Sequence, residues 1–293
     1  MRLIYHYTDA SALKGILEND ALWLSDQRFM NDPSEFHHAI DGFIRHLEKK
    51  LHNEIAKDRI KSRIKRGAQT QMENRTFLTS FSSGDLLSQW RGYCPSEGGY
   101  AIGFNKEKLS SFLKSKAFSL KNSEGKSFSH FDILNCMYDE NEKQANYNYL
   151  IDCSIPATAF IPPKGDQLDR RLDKILADYH FRHLTATHKD SSYREESEVR
   201  ILYSKPGPDI EREYREQLDA AILPTEFREK NNYLLPYVRL TGVLECIEEI
   251  IVGPSADQER AHNGLNDFLK LQSHDKPHLL EVTLRLSTIP YRN

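Results

Sequence analysis

Short stretches in which apolar and polar positions alternate recur along the chain and predict β-strands, because alternate residues of a strand lie on opposite faces. The first stretch, residues 4–8, carries His6 among apolar and aromatic neighbours, and residues 21–25 and 76–82 continue the pattern. We predict further strands at these positions: 100–104, 131–138, 196–203, 233–240, 244–252 and 279–286.

Apolar residues at intervals of three and four positions predict helices between these strands. The first helix follows residue 8, places Leu13, Ile16 and Leu17 on one face, and has Asp9 or Ser11 as its N-cap. We predict further helices at these positions: 33–66, 86–93, 109–113, 141–152, 168–188 and 253–271. Strands and helices do not follow a regular βαβ order, so the pattern favours one α+β domain over residues 1–293.

The longest predicted helix, 33–66, changes character along its length. Its apolar stripe is strong at the start and fades towards the end. We therefore predict that the first half packs on the core and that the second half projects into solvent. That second half carries these basic residues: Lys61, Arg63, Lys65 and Arg66.

The composition indicates a folded globular protein without a strong electrostatic bias. Apolar residues make up 39% of the chain, and a formal net charge of −3 creates no global field that would draw it to DNA or a membrane. The four cysteines form no CxxC pair, which is typical of reduced thiols. We find no leader pattern and no apolar run of spanning length, so we expect a cytoplasmic protein that does not contact membranes.

Two carboxylates and an arginine alternate at the start of the predicted strand 196–203. Glu196, Glu198 and Arg200 would share one face of that strand. One interpretation is a solvated face on which the arginine neutralises the carboxylates. The other is a fixed anion beside a sugar ring, which would stabilise the oxocarbenium-like state formed when a bond to a ribose anomeric carbon breaks.

Polar side chains on two other predicted strands are candidates for ligand contact. His6 and Thr8 share a face of the first strand, which suits recognition of hydroxyl groups. A histidine on an apolar strand is, however, more often a satisfied core residue. Ser80 and Ser82 on the strand 76–82 are further candidate hydrogen-bond donors.

The segment 89–93 is rich in aromatic and hydrogen-bonding side chains. Arg91 is suited to a bidentate phosphate contact, and Tyr93 to stacking on a planar base. No histidine, cysteine or carboxylate group shows a diagnostic metal spacing, so we expect no metal site.

Six motifs, taken in order, resemble a bacterial family catalogued as domain of unknown function 2971. The motifs are Tyr5-His6-Tyr7-Thr8, Asn31-Asp32-Pro33-Ser34-Glu35, Ser80-Phe81-Ser82 with Trp90 and Tyr93, Gly103-Phe104, Glu196-Ser197-Glu198-Val199-Arg200, and Ile289-Pro290-Tyr291-Arg292. They extend from one end of the chain to the other. The family name carries no activity.

A remote resemblance connects the pocket motifs to ADP-ribosyltransferases of the histidine-tyrosine-glutamate type. It implies split antiparallel β-sheets surrounded by helices, with NAD as the substrate. It also implies that His6 contacts a ribose hydroxyl, that the backbone of Tyr7 grips the nicotinamide amide, and that Ser80 lies on a bracing strand. Glu198 corresponds to the glutamate that bonds the 2′-hydroxyl of the nicotinamide ribose.

The same resemblance has an arginine-modifying branch with a Glu-x-Glu motif. There the first glutamate, here Glu196, helps to activate the acceptor. That branch has an arginine on the first strand, where this chain has His6. For the tyrosine that stacks on nicotinamide, Tyr93 and Tyr100 both qualify.

The function implied is that of an NAD-dependent ADP-ribosyltransferase. It would cleave the nicotinamide–ribose bond and modify a protein or nucleic-acid acceptor, as a toxin or phage-defence effector. The predicted NAD contacts are His6, Tyr7, Thr8, Ser80, Ser82, Arg91 and Tyr93. The alternatives are NAD hydrolysis at the same site and a non-catalytic module that senses a nucleotide.

Overall fold

The computed structural model of the protein describes residues 3–30, 34–50, 58, 61, 75–117, 119–121, 127–154, 181–205, 222–230 and 232–291. Within them the chain is mixed α+β, as the sequence pattern predicts, and it has two open multi-stranded sheets. No helix among these residues is long and apolar enough to cross a membrane.

The first sheet has four strands, and the second has six. In spatial order the first sheet contains β1 (Leu3–Thr8), β4 (Tyr100–Asn105), β11 (Ile247–Val252) and β12 (Thr283–Leu286). The second contains β7 (Phe131–Asn135), β8 (Val199–Ser204), β3 (Thr76–Phe81), β2 (Ala21–Asp26), β10 (Tyr233–Thr241) and β9 (Glu226–Lys230). Two short strands, β5 (Ser119–Lys121) and β6 (Ser127–Ser129), pair separately.

Helices connect and flank the sheets. They are α1 (Ala10–Asn19), α2 (Ser34–Lys50), α3 (Leu87–Tyr93), α4 (Lys106–Lys116), α5 (Glu140–Ser154), α6 (residues 181–187) and α7 (Gln258–Gln272). Short 3₁₀ turns occur at Gln27–Phe29, Ser191–Glu196, Leu244–Cys246 and Pro277–Glu281. Asp9 caps α1 by accepting a hydrogen bond from the backbone N–H of Ala12.

The second sheet shows the alternation of faces that the sequence predicts. One face packs into the main hydrophobic core through Leu22, Leu24, Phe77, Val199, Ile201 and Val238. The opposite face carries the intervening residues of β2, β3 and β8, among them Ser25, Ser80 and Arg200. This second face is where polar side chains meet a cleft.

Among the described residues, one backbone bridge links the two sheets, and we call it the seam. The backbone N–H of Tyr5 in β1 donates to the carbonyl of Ser82 over 2.9 Å, and the N–H of Ser82 donates to the carbonyl of Tyr5 over 2.8 Å. The seam brings the first strand beside the end of β3. It therefore places His6 next to the polar face of the second sheet.

Several sequence predictions need correction. The predicted strand 196–203 begins only at Val199, because residues 191–196 form a 3₁₀ turn and Ser197 has a φ of 45°. The first sheet is not wholly antiparallel, since β11 and β12 run parallel. The strand β9 was not predicted. Its sequence, EFREK, is too polar to show an apolar alternation.

The predicted helix 33–66 is described from Ser34 to Lys50, and its residues Ala39, Ile40, Phe43 and Leu47 are buried as predicted. Of its basic residues, Lys61 forms an ion pair with Glu48, whereas Arg63, Lys65 and Arg66 lie outside the described residues. Of the predicted helix 168–188, the described part is helical over residues 181–187.

Candidate functional site

A cleft of about 870 Å³ lies at the seam, bordered by β1, α1 and the polar face of the second sheet. This volume is in the range of pockets that hold small ligands and cofactors. Most of the predicted contact residues line it together: His6, Tyr7, Thr8, Ser80, Ser82, Tyr93, Glu196 and Glu198. Residues far apart in sequence therefore meet in one place.

The imidazole of His6 is fixed by a backbone carbonyl across the seam. Its Nδ1 lies 3.0 Å from the carbonyl oxygen of Ser80, and a carbonyl can only accept, so Nδ1 carries the proton. Burial lowers the pKa of His6 below its ordinary value, which keeps the ring neutral near pH 7. A neutral ring protonated at Nδ1 has Nε2 as a hydrogen-bond acceptor, the form suited to a sugar hydroxyl.

Five charged side chains form an ion-pair network on one wall of the cleft. Lys189 Nζ lies 2.5 Å from Glu196 Oε2, 2.7 Å from Glu198 Oε2 and 3.3 Å from Glu35 Oε1. Arg200 Nε lies 2.6 Å from Glu198 Oε1, and Arg200 Nη2 lies 2.8 Å from Glu35 Oε2. The segment that contains Glu35 and the Glu-x-Glu segment are joined through these two cations.

Within this network Glu198 is buried and doubly paired. Burial raises its pKa, but Arg200 and Lys189 outweigh that effect and lower the pKa to about 2. The same carboxylates raise the pKa of Lys189 and hold Arg200 firmly in its charged form. Three carboxylates share two cations, so the wall keeps one net negative charge at neutral pH.

The backbone around the two glutamates is also held in place. The Ser82 hydroxyl donates to the Glu196 carbonyl over 2.5 Å, and the Glu198 N–H donates to the Tyr138 hydroxyl over 2.9 Å. The left-handed conformation of Ser197 turns the chain between them. As a result, the two carboxylates converge on Lys189 although they do not share a strand.

Tyr93 and Tyr193 border the charged wall. Tyr93 is 43% exposed, and its pKa is raised to about 12 by burial and by the neighbouring carboxylates. The Lys189 ammonium lies 5.1 Å from the centre of the Tyr193 ring. Both tyrosines line the cleft, so each offers an aromatic surface beside the carboxylates. Tyr100, the other candidate for stacking, packs against the main core and is not among the lining residues.

Arg91, predicted to contact a phosphate, does not line the cleft. It lies exposed on α3, whereas Gln89 and Tyr93 on the same helix line the cleft. Residues four apart share a helix face, and a residue two positions away lies on the opposite side. The helix that presents Tyr93 therefore turns Arg91 outwards.

Several residues that line the cleft were not predicted as site residues. Glu35 was noted only as part of a motif, and Lys189, Arg228 and Trp23 were not singled out. The motif that contains Glu35 carries no assigned role, and neither spacing nor composition marks the other three residues as part of a site. Among the described residues, no group of three or more His, Cys, Asp and Glu side chains is placed to hold a metal ion.

Residues 89–201 match the model of a family described as "Protein of unknown function (DUF2971)". The match supports the resemblance to that family, and it includes Lys189, Glu196, Glu198 and Arg200. No curated protein matches the chain. No solved structure matches it either.

Proposed function

We propose that the cleft binds NAD, cleaves its nicotinamide–ribose bond and transfers ADP-ribose to a macromolecular acceptor. The observation that carries this proposal is the convergence of His6, Ser80 and the Glu196/Glu198 pair on one cleft. A hydroxyl acceptor, an anionic wall and aromatic surfaces are what a nicotinamide riboside requires of a site that develops positive charge on the sugar.

His6, Glu198 and Glu196 would each have a separate role in the reaction. His6 Nε2 accepts a hydrogen bond from a ribose hydroxyl and orients the sugar. The bond from the ribose anomeric carbon to nicotinamide breaks with its electron pair on nicotinamide, and the negative wall around Glu198 stabilises the cationic sugar. An acceptor hydroxyl, amine or guanidine then bonds to that carbon, and Glu196 takes the acceptor's proton.

The direct test is incubation of the purified protein with NAD, with and without a cell lysate. Expected products are free nicotinamide, measured by chromatography, and macromolecules that carry the label of ADP-ribose-labelled NAD. Nicotinamide release without labelling would indicate water as the acceptor, which is NAD hydrolysis. Absence of both products across lysates from several sources would contradict catalysis.

A specific observation favours a second candidate, binding of a nucleotide without cleavage. Both carboxylate oxygens of Glu198 already accept hydrogen bonds from Arg200 and Lys189. A carboxylate that is neutralised in this way is less available to a sugar cation than a free anion. Under this alternative the protein binds ADP-ribose or NAD in calorimetry, and NAD remains intact after prolonged incubation.

A further inference from the structure

We propose that the end of the cleft at Arg228 is a binding subsite for a phosphate group of a nucleotide. The proposal rests on the proposed nucleotide ligand but does not require that the nucleotide be cleaved. It also replaces Arg91, which lies outside the cleft, as the residue that contacts phosphate.

Arg228 lies on β9 and is held on the polar face of the second sheet. Its Nη2 donates to the Ser25 hydroxyl over 2.9 Å, and its guanidinium carbon lies 5.4 Å from the centre of the Trp23 ring. Trp23 in turn packs against Tyr237 at a centroid distance of 4.5 Å. These contacts fix the plane of the guanidinium group at the border of the cleft.

The charge of Arg228 has no counter-ion among the residues that the structure describes. Its Nε is buried and has no hydrogen-bond partner there. Burial lowers the pKa of Arg228, the direction expected for a cation removed from water without an anion beside it. An unneutralised, partly buried guanidinium is costly to a fold unless a ligand supplies the missing negative charge.

Neither of the two glutamates that flank Arg228 on β9, Glu226 and Glu229, forms an ion pair with it. Glu226, two residues earlier on β9, accepts from Arg239 Nε over 2.6 Å and from the Tyr237 hydroxyl over 3.0 Å. Glu229 borders the cleft but forms no ion pair with Arg228. Glu226 is therefore paired with Arg239, and no carboxylate among the described residues neutralises Arg228.

Phosphate fits the remaining donors better than a monovalent carboxylate does. A guanidinium offers parallel N–H groups that match two oxygens of a phosphate, and the pyrophosphate of a dinucleotide carries two negative charges where a carboxylate carries one. Lys230 also borders the cleft, two residues further along the same strand, and adds positive charge. Arg228 also acts electrostatically on His6, so the phosphate subsite and the proposed sugar contact lie in one site.

The test compares binding of three probes by calorimetry: ADP, adenosine and inorganic pyrophosphate. We expect the wild type to bind ADP at least about tenfold more tightly than adenosine, since a charge-assisted bidentate contact contributes at that level. Arg228→Gln should abolish this preference and the binding of pyrophosphate. Arg228→Lys, which keeps the charge but loses the planar pair of donors, should retain a part of both.

Arg91→Gln is the matched control, because it removes an arginine outside the cleft and should leave the ADP preference unchanged. Thermal unfolding of each variant establishes that it is folded. The proposal is overturned if the wild type binds neither ADP nor pyrophosphate at millimolar concentration. Equal ADP affinities of Arg228→Gln and the wild type would overturn it as well.

Failure of the proposed reaction gives a different result. A wild type that binds ADP through Arg228 but releases no nicotinamide from NAD would retain the phosphate subsite and lose the cleavage proposal.

Discussion

At the scale of single residues, Glu198 has features of both interpretations that the sequence allowed, a carboxylate neutralised by an arginine and an anion beside a ligand. It is a buried member of an ion-paired wall, and it also borders the cleft. The charge pattern indicated its partner Arg200, two positions on. The pattern could not indicate Lys189 or Glu35, because the contacts among these residues arise from tertiary packing of α2 and of the turn after α6.

Substitution of Glu198 and Glu196 by glutamine should separate structural from chemical roles. Glu198→Gln loses two ion pairs in a buried site, so we expect it to lower the free energy of unfolding by about 2 kcal/mol or more. Glu196 is more exposed and has one described ion pair, so Glu196→Gln should cost less than about 1 kcal/mol. Urea unfolding at pH 7.5 measures both.

The same two variants also test the proposed reaction. Glu198→Gln should reduce nicotinamide release roughly a hundredfold, as expected for the loss of one preorganised electrostatic contact. Glu196→Gln should spare nicotinamide release and reduce labelling of acceptors. An unchanged rate in folded Glu198→Gln would contradict the catalytic assignment, and an unchanged unfolding free energy would contradict the ion-pair network.

At the scale of elements, apolar alternation predicted strands where one face is buried. It located β2, β3 and β10 well, since each turns alternate residues towards the main core. It also located β1, although only Ile4 of that strand faces the main core, whereas Tyr5 and Tyr7 pack in a second cluster. It missed β9, an edge strand whose charged side chains suit solvent exposure. It also extended β8 backwards, because two glutamates separated by one residue fit a strand as well as they fit a turn.

The turn before β8 depends on the left-handed conformation of Ser197, at φ 45° and ψ 44°. Residues other than glycine pay about 1–2 kcal/mol in this region, and glycine adds some entropy to the unfolded chain. Ser197→Gly should therefore raise the free energy of unfolding by about 0.5 kcal/mol, and Ser197→Val should lower it by more than about 1 kcal/mol.

A matched control for this prediction is available in α4. Ser111→Gly makes the same change at an exposed helical position, where glycine should lower the free energy of unfolding by about 0.5 kcal/mol. Opposite signs at the two serines are the expected result of chemical denaturation. A loss of stability in both variants would show that the conformation of Ser197 is not strained.

At the scale of the whole molecule, buried ionisable groups predict that stability falls in acid in two stages. His188 is fully buried between Tyr147 and Asn146, and burial lowers its pKa to about 3. The unfolded chain therefore binds more protons below pH 6.5, and stability falls as the pH drops from about 6.5 towards 3. The lowered pKa of His6 acts in the same direction.

The second stage belongs to Glu198. Its pKa falls from 4.5 to about 2 on folding, so its contribution is complete above pH 4.5 and is lost as the pH falls towards 2. A shift of this size corresponds to about 3 kcal/mol. We expect His188→Gln to flatten the dependence of the urea midpoint on pH from 6.5 down to about 3, and Glu198→Gln to flatten it only below pH 4.5. Parallel curves for wild type and variants would contradict this assignment.

The seam between Tyr5 and Ser82 lies beside a cleft that residues of both sheets line, and the two sheets also share the main hydrophobic core. A ligand that contacts both His6 on the first sheet and Arg228 on the second would restrain the relative motion of the two sheets. It would thereby stabilise the two backbone hydrogen bonds of the seam. The amide protons of Tyr5 and Ser82 should then exchange with solvent more slowly when ADP-ribose is bound. The protection should vanish in Arg228→Gln at the same ligand concentration. The amides of α7, on a different part of the first sheet, serve as the internal reference. The hydrogen-exchange rates of the Tyr5 and Ser82 amides therefore report whether the cleft is occupied.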